Sequence, residues 1–213
     1  MGSDTRERII EAALKLFGER GFAATSISQI ERESGLSAGS GGLYRHFSSK
    51  KELLTESVRA RLTDRSEWEA FLAPEFSITA MMESLAPGGS ITDTLVTLCH
   101  IGMARLDHDR DINRLLLRDN SVDSDVLEIF RRDEYELITS VVTKSLVELS
   151  SDAQEDWRSA AAVVVGAIVH YWLVTDIFGG THPLAIDADS YMRATAELVA
   201  ARIETTRTPR GTE

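Results

Sequence analysis

The sequence predicts an all-α fold: an N-terminal three-helix helix-turn-helix unit followed by a larger helical bundle. Three observations carry that expectation. Apolar residues recur at helical spacing along almost the whole chain, and only four prolines interrupt its 213 residues. Charge is divided unevenly, with nine Lys/Arg against eight Asp/Glu in residues 1–60 and a net of −12 over residues 61–213. A near-neutral unit thus precedes an acidic one.

The composition, 43% hydrophobic and 27% charged with a net charge of −11, is that of a folded globular chain long enough to bury a core. The single cysteine, Cys99, cannot form an internal disulfide, and no C-x-x-C pair suggests structural zinc, so packing must hold the framework. That usage points to a reducing cytoplasm. The polar stretch Met1 to Arg8 has no apolar run behind a basic segment, so no secretory signal is expected.

The first helix is expected from Thr5 to Arg20, because Ile9, Ile10, Ala13, Leu16 and Phe17 share one face while Arg6, Glu7, Glu11, Lys15 and Glu19 take the other. Gly21 ends it. Thr25 or Ser26 can cap a second helix through a hydroxyl that accepts a free backbone N–H; Ile27 and Ile30 form its apolar face, and Gly35 breaks it. Leu36 and Ser37 open a third segment reaching Phe47, and Ser48-Ser49 caps a fourth helix from near Lys50 through Leu62. Residues 64–90, punctuated by Pro74 and Pro87-Gly88-Gly89, predict a short helix between two loops.

The helical period returns over residues 92–106, 110–118 and Ser124 to Leu149. Ala160 to Val174, within a helix expected over Asp152 to Phe178, is apolar nearly all round but, at fifteen residues, too short for a membrane span. Such a helix needs cover on every side, and a second subunit supplies it most simply. A last helix, Asp187 to Glu204, presents Met192, Ala196, Val199 and Ile203, so a homodimer through the helices near 155–178 and 187–204 is expected. Residues 205–213 carry no apolar side chain and read as a flexible tail.

Two short helices around Gly35, followed by a polar segment ending in an aromatic residue, match a helix-turn-helix. The specific signal is Thr25-Ser-Ile-Ser-Gln-Ile-Glu-Arg-Glu-Ser-Gly35-Leu-Ser and then Gly42-Leu-Tyr-Arg-His-Phe-Ser-Ser-Lys50-Lys-Glu-Leu-Leu54. Ile9-Ile-Glu-Ala-Ala-Leu-Lys-Leu-Phe17 and Gly21-Phe22 precede it. Residues 5–60 resemble the TetR family of bacterial transcriptional regulators. The resemblance implies a DNA-binding domain over residues 5–50 and an all-helical effector-binding and dimerisation domain over 51–204. Beyond residue 60 it extends only to the all-helical architecture.

Within the matched run, Leu43 and Phe47 can anchor a recognition helix on the core. Tyr44 and His46 carry polar tips suited to phosphate oxygens, and Lys50 brings a charge and a helix N-terminus to the DNA backbone. Thr25 or Ser26 resembles the family's other phosphate anchor. Base readout is expected from Ser37, Ala38, Gly39 and Ser40, with Arg45 able to pair with guanine. The sequence departs from the family pattern in Leu36-Ser-Ala-Gly-Ser-Gly-Gly42, which is about two residues longer than usual. Glycines cost roughly 1 kcal/mol each in a helix, so either the turn is longer or the recognition helix starts late, near Ser40.

The acidic part contains no Gly-x-Ser-x-Gly, Walker, His-Glu-x-x-His or dinucleotide motif, so no enzyme, metal or cofactor is expected. Bundles of this kind place ligands in mostly apolar cavities with a few polar tips, and the resemblance implies such a site. Its candidate residues are His100, Met103, Tyr135, Trp172 and Asp176. Together these features imply a repressor that binds a palindromic double-stranded operator as a homodimer and is released by a small-molecule effector, without a membrane. An activator of the same fold, or an enzyme or carrier that keeps the helix-turn-helix as scaffold, are the rival readings.

Overall fold

A computed structural model of the chain describes residues 2–63, 69–118, 122 and 124–207. In chain order its helices are α1 (Gly2–Arg20), α2 (Ile27–Glu33), α3 (Lys50–Thr63), α4 (Glu69–Leu72), α5 (Ile78–Leu85), α6 (Ile91–His108), α7 (Arg110–Arg118), α8 (Ser124–Phe130), α9 (Glu136–Ser150), α10 (Trp157–Ile177) and α11 (Ala188–Arg207). A 3-10 turn occupies Gly42–Arg45 and a π-helical turn Arg131–Tyr135. No strand occurs among the described residues, as the periodicity predicts.

The chain divides into two compact units, residues 1–67 with 109–135 and residues 68–108 with 136–213. The unit that carries the helix-turn-helix therefore also holds α3, α7 and α8, whereas the sequence division at residue 50 assigns these to the larger domain. Its core joins Ile9, Ala13 and Phe17 of α1 to Ile30 of α2, Leu43 and Phe47, Leu54 and Val58 of α3, Ile112 and Leu115 of α7, and Val126 of α8. Burying each large apolar side chain stabilises the unit by about 1.5–3 kcal/mol.

The second unit packs α6, α9, α10 and α11 around Leu95, Leu98, Val142, Leu146, Val164, Ile168, Met192 and Ile203. Gly102 lets α6 approach α10, since a Cβ there would lie 3.1 Å from the Ile168 side chain. Helix starts are capped locally: the Ser77 hydroxyl accepts from the Ala80 amide, Asp156 from Ser159 and Asp187 from Ser190. The Glu148 carboxylate of α9 adds a second cap to α5, accepting from the amides of Ile78 and Thr79.

Several elements differ from their expected form, residues 64–90 among them, where α4 and α5 stand in place of one short helix. The segment Ser124 to Leu149, expected as one helix, contains the π-helical turn between α8 and α9. Helix α10 is 21 residues long, and an 18-residue window of it has mean hydropathy 1.7, so length alone does not exclude a span. Its inner face, from Trp157 through Val164 to Ile168, is nonetheless committed to the core. The expected tail begins late: α11 continues through Arg207, with the Thr205 and Thr206 hydroxyls bonded back to the carbonyls of Ala201 and Ile203. Residues 208–213 of that tail lie outside the described residues.

Candidate nucleic-acid interface

The path from α1 into the helix-turn-helix is set by a positive φ at Gly21, 84°, whose amide donates to the Phe17 carbonyl at 2.8 Å and closes the helix. Ser26 is the N-cap of α2. Its hydroxyl accepts from the Gln29 amide while the Gln29 side chain accepts from the Ser26 amide, a reciprocal capping box. Thr25, offered by the sequence as the alternative, is 1% exposed and donates its hydroxyl to the carbonyls of Leu16 and Gly21. Those bonds tie the turn to α1 and leave Ser26 as the exposed hydroxyl.

After Gly35, at φ 78°, the chain does not form the helix expected up to Phe47. It makes a glycine-rich turn with Gly39 at φ 75° and Gly41 at φ 70°, and then the single 3-10 turn Gly42–Arg45. Left-handed backbone accounts for two of the three glycines that fall within four positions, Gly39 and Gly41, because an L side chain is strained at positive φ. Of the two sequence alternatives the longer turn forms; no recognition helix starts near Ser40, and only the 3-10 turn from Gly42 follows. Leu43 and Phe47 are buried and anchor the turn, with the Phe47 amide donating to the Leu43 carbonyl at 3.1 Å and Arg6 over the Phe47 ring at 4.9 Å.

Ser37, Ala38, Gly39 and Ser40 are exposed, as are Tyr44, at 56%, and Arg45. No ion pair engages Arg45 among the described residues, so its guanidinium remains available to an anion. His46 is half-buried. Lys50 is also half-buried, and its ammonium donates to the carbonyls of Phe22 and Thr25 at 2.6 and 2.8 Å and lies over the Phe22 ring at 4.3 Å. Lysine 50 thus pins the loop between α1 and α2. The Ser49 hydroxyl caps α3 by accepting from the Glu52 amide, while the Ser48 hydroxyl and amide hold the Glu52 carboxyl below its ordinary pKa.

One residue of this site was not singled out by the sequence. Glu31 is fully buried, and its carboxylate accepts from the Gly39 amide at 2.7 Å and the Leu43 amide at 3.3 Å. The available signal is its place on the inner face of α2, one residue after Ile30, ahead of a glycine-rich turn whose amides no regular helix would use.

The expected ligand residues fall in different places. His100 and Met103 lie on α6, Trp172 and Asp176 on α10, all in the second unit, whereas Tyr135 ends the π-helical turn in the first. Met103 packs against the second core, the Trp172 indole donates to Asp107 at 3.0 Å, and His100 lies 3.2 Å from Asp189. A separate cleft of about 320 Å³ in the second unit is lined by Met82, Thr94, Glu148, Leu149 and Arg207 among others, and none of the five candidates borders it. No cluster of three or more His, Cys, Asp or Glu side chains suited to a metal occurs among the described residues.

Residues 9–56 match the family described as bacterial regulatory proteins, tetR family. The chain is 25% identical over 189 residues to YerO, an uncharacterized HTH-type transcriptional regulator of Bacillus subtilis, covering 88% of this chain but only 60% of that relative. It is 29% identical over 174 residues to the HTH-type transcriptional regulator LmrA of Bacillus subtilis, covering 78% of this chain and 82% of LmrA. Among solved structures, the transcriptional regulator FadR from Bacillus subtilis in complex with stearoyl-CoA superposes with a TM-score of 0.59 at 16% identity, over 92% of this chain and 97% of that one. At that identity the likeness is one of fold.

Proposed function

We propose that the chain is a DNA-binding transcriptional regulator of the tetR family, supported by the match of residues 9–56, and that it is a cytoplasmic repressor. It binds a palindromic operator as a homodimer and is released by a small molecule. The observation that carries this reading is the exposure of Ser26, Ser37 to Ser40, Tyr44 and Arg45 in one stretch whose apolar anchors, Leu43 and Phe47, are buried. Phosphate contacts come from Ser26, Tyr44 and His46, base contacts from the Ser37 to Ser40 turn and Arg45. Thr25 and Lys50 act mainly by holding the loop that presents Ser26.

Dimerisation is supported by an apolar seam on the second unit. On α10, Val163 is 70% exposed and Gly166 has open space at its Cβ position; on α11, Leu198 is 77% exposed between Ala194 and Ala201 at helical spacing. Flanking charges are drawn aside, Arg193 to Asp93 at 3.6 Å and Arg202 to Glu155 at 2.7 Å. A palindromic operator requires two copies whose recognition turns enter successive major grooves, roughly 34–36 Å apart. The effector is a small apolar or amphipathic molecule held in the second unit, a reading supported by the acyl-CoA bound to the FadR neighbour. It acts by binding the DNA-incompetent conformation more tightly.

A mobility shift with the upstream region of the chain's own gene, with and without excess competitor DNA, tests the reading. A shift that survives competitor and is reversed by a fatty acyl-CoA probe is expected. Loss of the shift in competitor would remove sequence-specific binding, and insensitivity to acyl-CoA would remove that ligand class.

A further inference from the structure

The inner face of α2 carries Ile30 and Glu31, with Ile27 partly buried beside them and Ser34 buried at the C-cap, so a carboxylate stands at a position whose neighbours are core. Glu31 is 0% exposed. A buried carboxylate is tolerated only when its oxygens are hydrogen-bonded. Here one oxygen accepts from Gly39 and the other from Leu43, the amides that bracket the left-handed Gly41 and the start of the 3-10 turn. The backbone carbonyl of the same residue accepts from Leu36 at 2.7 Å, at the entry to the turn. Residues at the entry, the middle and the exit of the glycine-rich segment are thus all bonded to Glu31.

The geometry points to Glu31 as a positioning residue for sequence-specific DNA binding. The segment lacks the helical hydrogen bonds that would fix a recognition helix, and this carboxylate supplies two fixed acceptors in their place. Ser37 to Ser40 and Arg45 are therefore presented in one register. This rests on the DNA-binding reading above. Base contacts are directional and short, whereas phosphate attraction is long-ranged and tolerates displacement, so loosening the turn costs specific affinity before non-specific affinity.

The test uses a duplex selected from a random library by the full-length protein and a scrambled duplex of equal length, at one salt concentration. Glu31→Gln keeps the shape but turns an amino group toward one of the two backbone N–H donors. Its affinity for the selected duplex is expected to fall tenfold or more, while that for the scrambled duplex stays within twofold. Amide exchange at Gly39 and Leu43 should quicken at least tenfold, with α1 and α3 unchanged. Gly39→Ala is the second variant: its Cβ meets nothing within 4 Å and acts only against a φ of +75°, so it moves the same amide without disturbing the core.

Gly39→Ala is expected to lower the ratio of selected to scrambled affinity in the same direction, and it decides the matter if Glu31→Gln does not fold. A ratio within twofold of the parent in the folded variants, or an equal fall on both duplexes, would overturn the positioning role. Failure of the parent protein to enrich any sequence would instead overturn the DNA-binding reading and the proposal with it.

Discussion

A Cβ on Gly18 would lie 2.8 Å from both the Cα and the carbonyl oxygen of Asp111, so α1 and α7 meet backbone to backbone within the first unit. No flexible side chain can yield at that contact. Gly18→Ala must therefore push α7 away from α1, against the packing of Ile112 and Leu115 on the α1 core. The expected cost is about 1–3 kcal/mol. A thermal midpoint within 1 °C of the parent, by circular dichroism, would show that the helices separate freely.

The exposed seam on α10 and α11 predicts that Leu198→Asp yields a monomer, because the substitution sets one charge against its symmetry mate in a desolvated interface. Sedimentation at micromolar concentration should report half the parent mass. Operator affinity should fall about a hundredfold or more as the second half-site is lost. A dimer that persists in Leu198→Asp would place the interface elsewhere.

Tyr44 and Arg45 are exposed on the same turn but have separate expected duties. Tyr44→Phe removes a neutral phosphate contact, so binding should weaken on all sequences alike while the salt slope, which charged contacts set, stays unchanged. Arg45→Ala should relax base preference at one position of the selected site, at about 1–3 kcal/mol. Equal behaviour of the two variants on selected and scrambled duplexes would erase the distinction.

Cys99 is buried in the second core, and burial pushes its thiol up to about 12. The thiolate is the reactive form, so at pH 8 only about one molecule in 10⁴ carries it. Alkylation by iodoacetamide should be at least a hundredfold slower in the folded protein than in urea. Its rate should rise about tenfold per pH unit up to the onset of unfolding. Rapid labelling at pH 8 would show that the α6 environment opens.

The dominant electrostatic feature of the chain, an acidic bundle behind a near-neutral amino terminus, was legible in the sequence because charge can be summed without knowing the fold. An uncovered apolar face on α10 was legible too, since a helix apolar nearly all round must leave part of itself uncovered in one subunit. On α11 the expected face was wrong: Met192, Ala196 and Ile203 are buried in the chain's own core, with Val199 packed against it, and Leu198 is the exposed apolar residue. Thr25 and Lys50 were harder. Their types suit phosphate, yet a hydroxyl and an ammonium satisfy backbone carbonyls equally well, and only the course of the chain decides which partner is near.

The sequence by itself located most of the helices, the stops and caps at Gly21, Ser26 and Ser49, and the helix-turn-helix motif, because periodicity, caps and glycine stops act over three or four residues. It also located the extra glycines. The tertiary structure alone decided what those glycines do: a carboxylate eight residues before Gly39 and twelve before Leu43 replaces the expected helical bonds with two of its own. It likewise joined α7 and α8 to the amino-terminal unit through contacts such as Gly18 with Asp111. Such outcomes depend on which distant backbones come within a few ångströms, and local pattern carries no record of that distance.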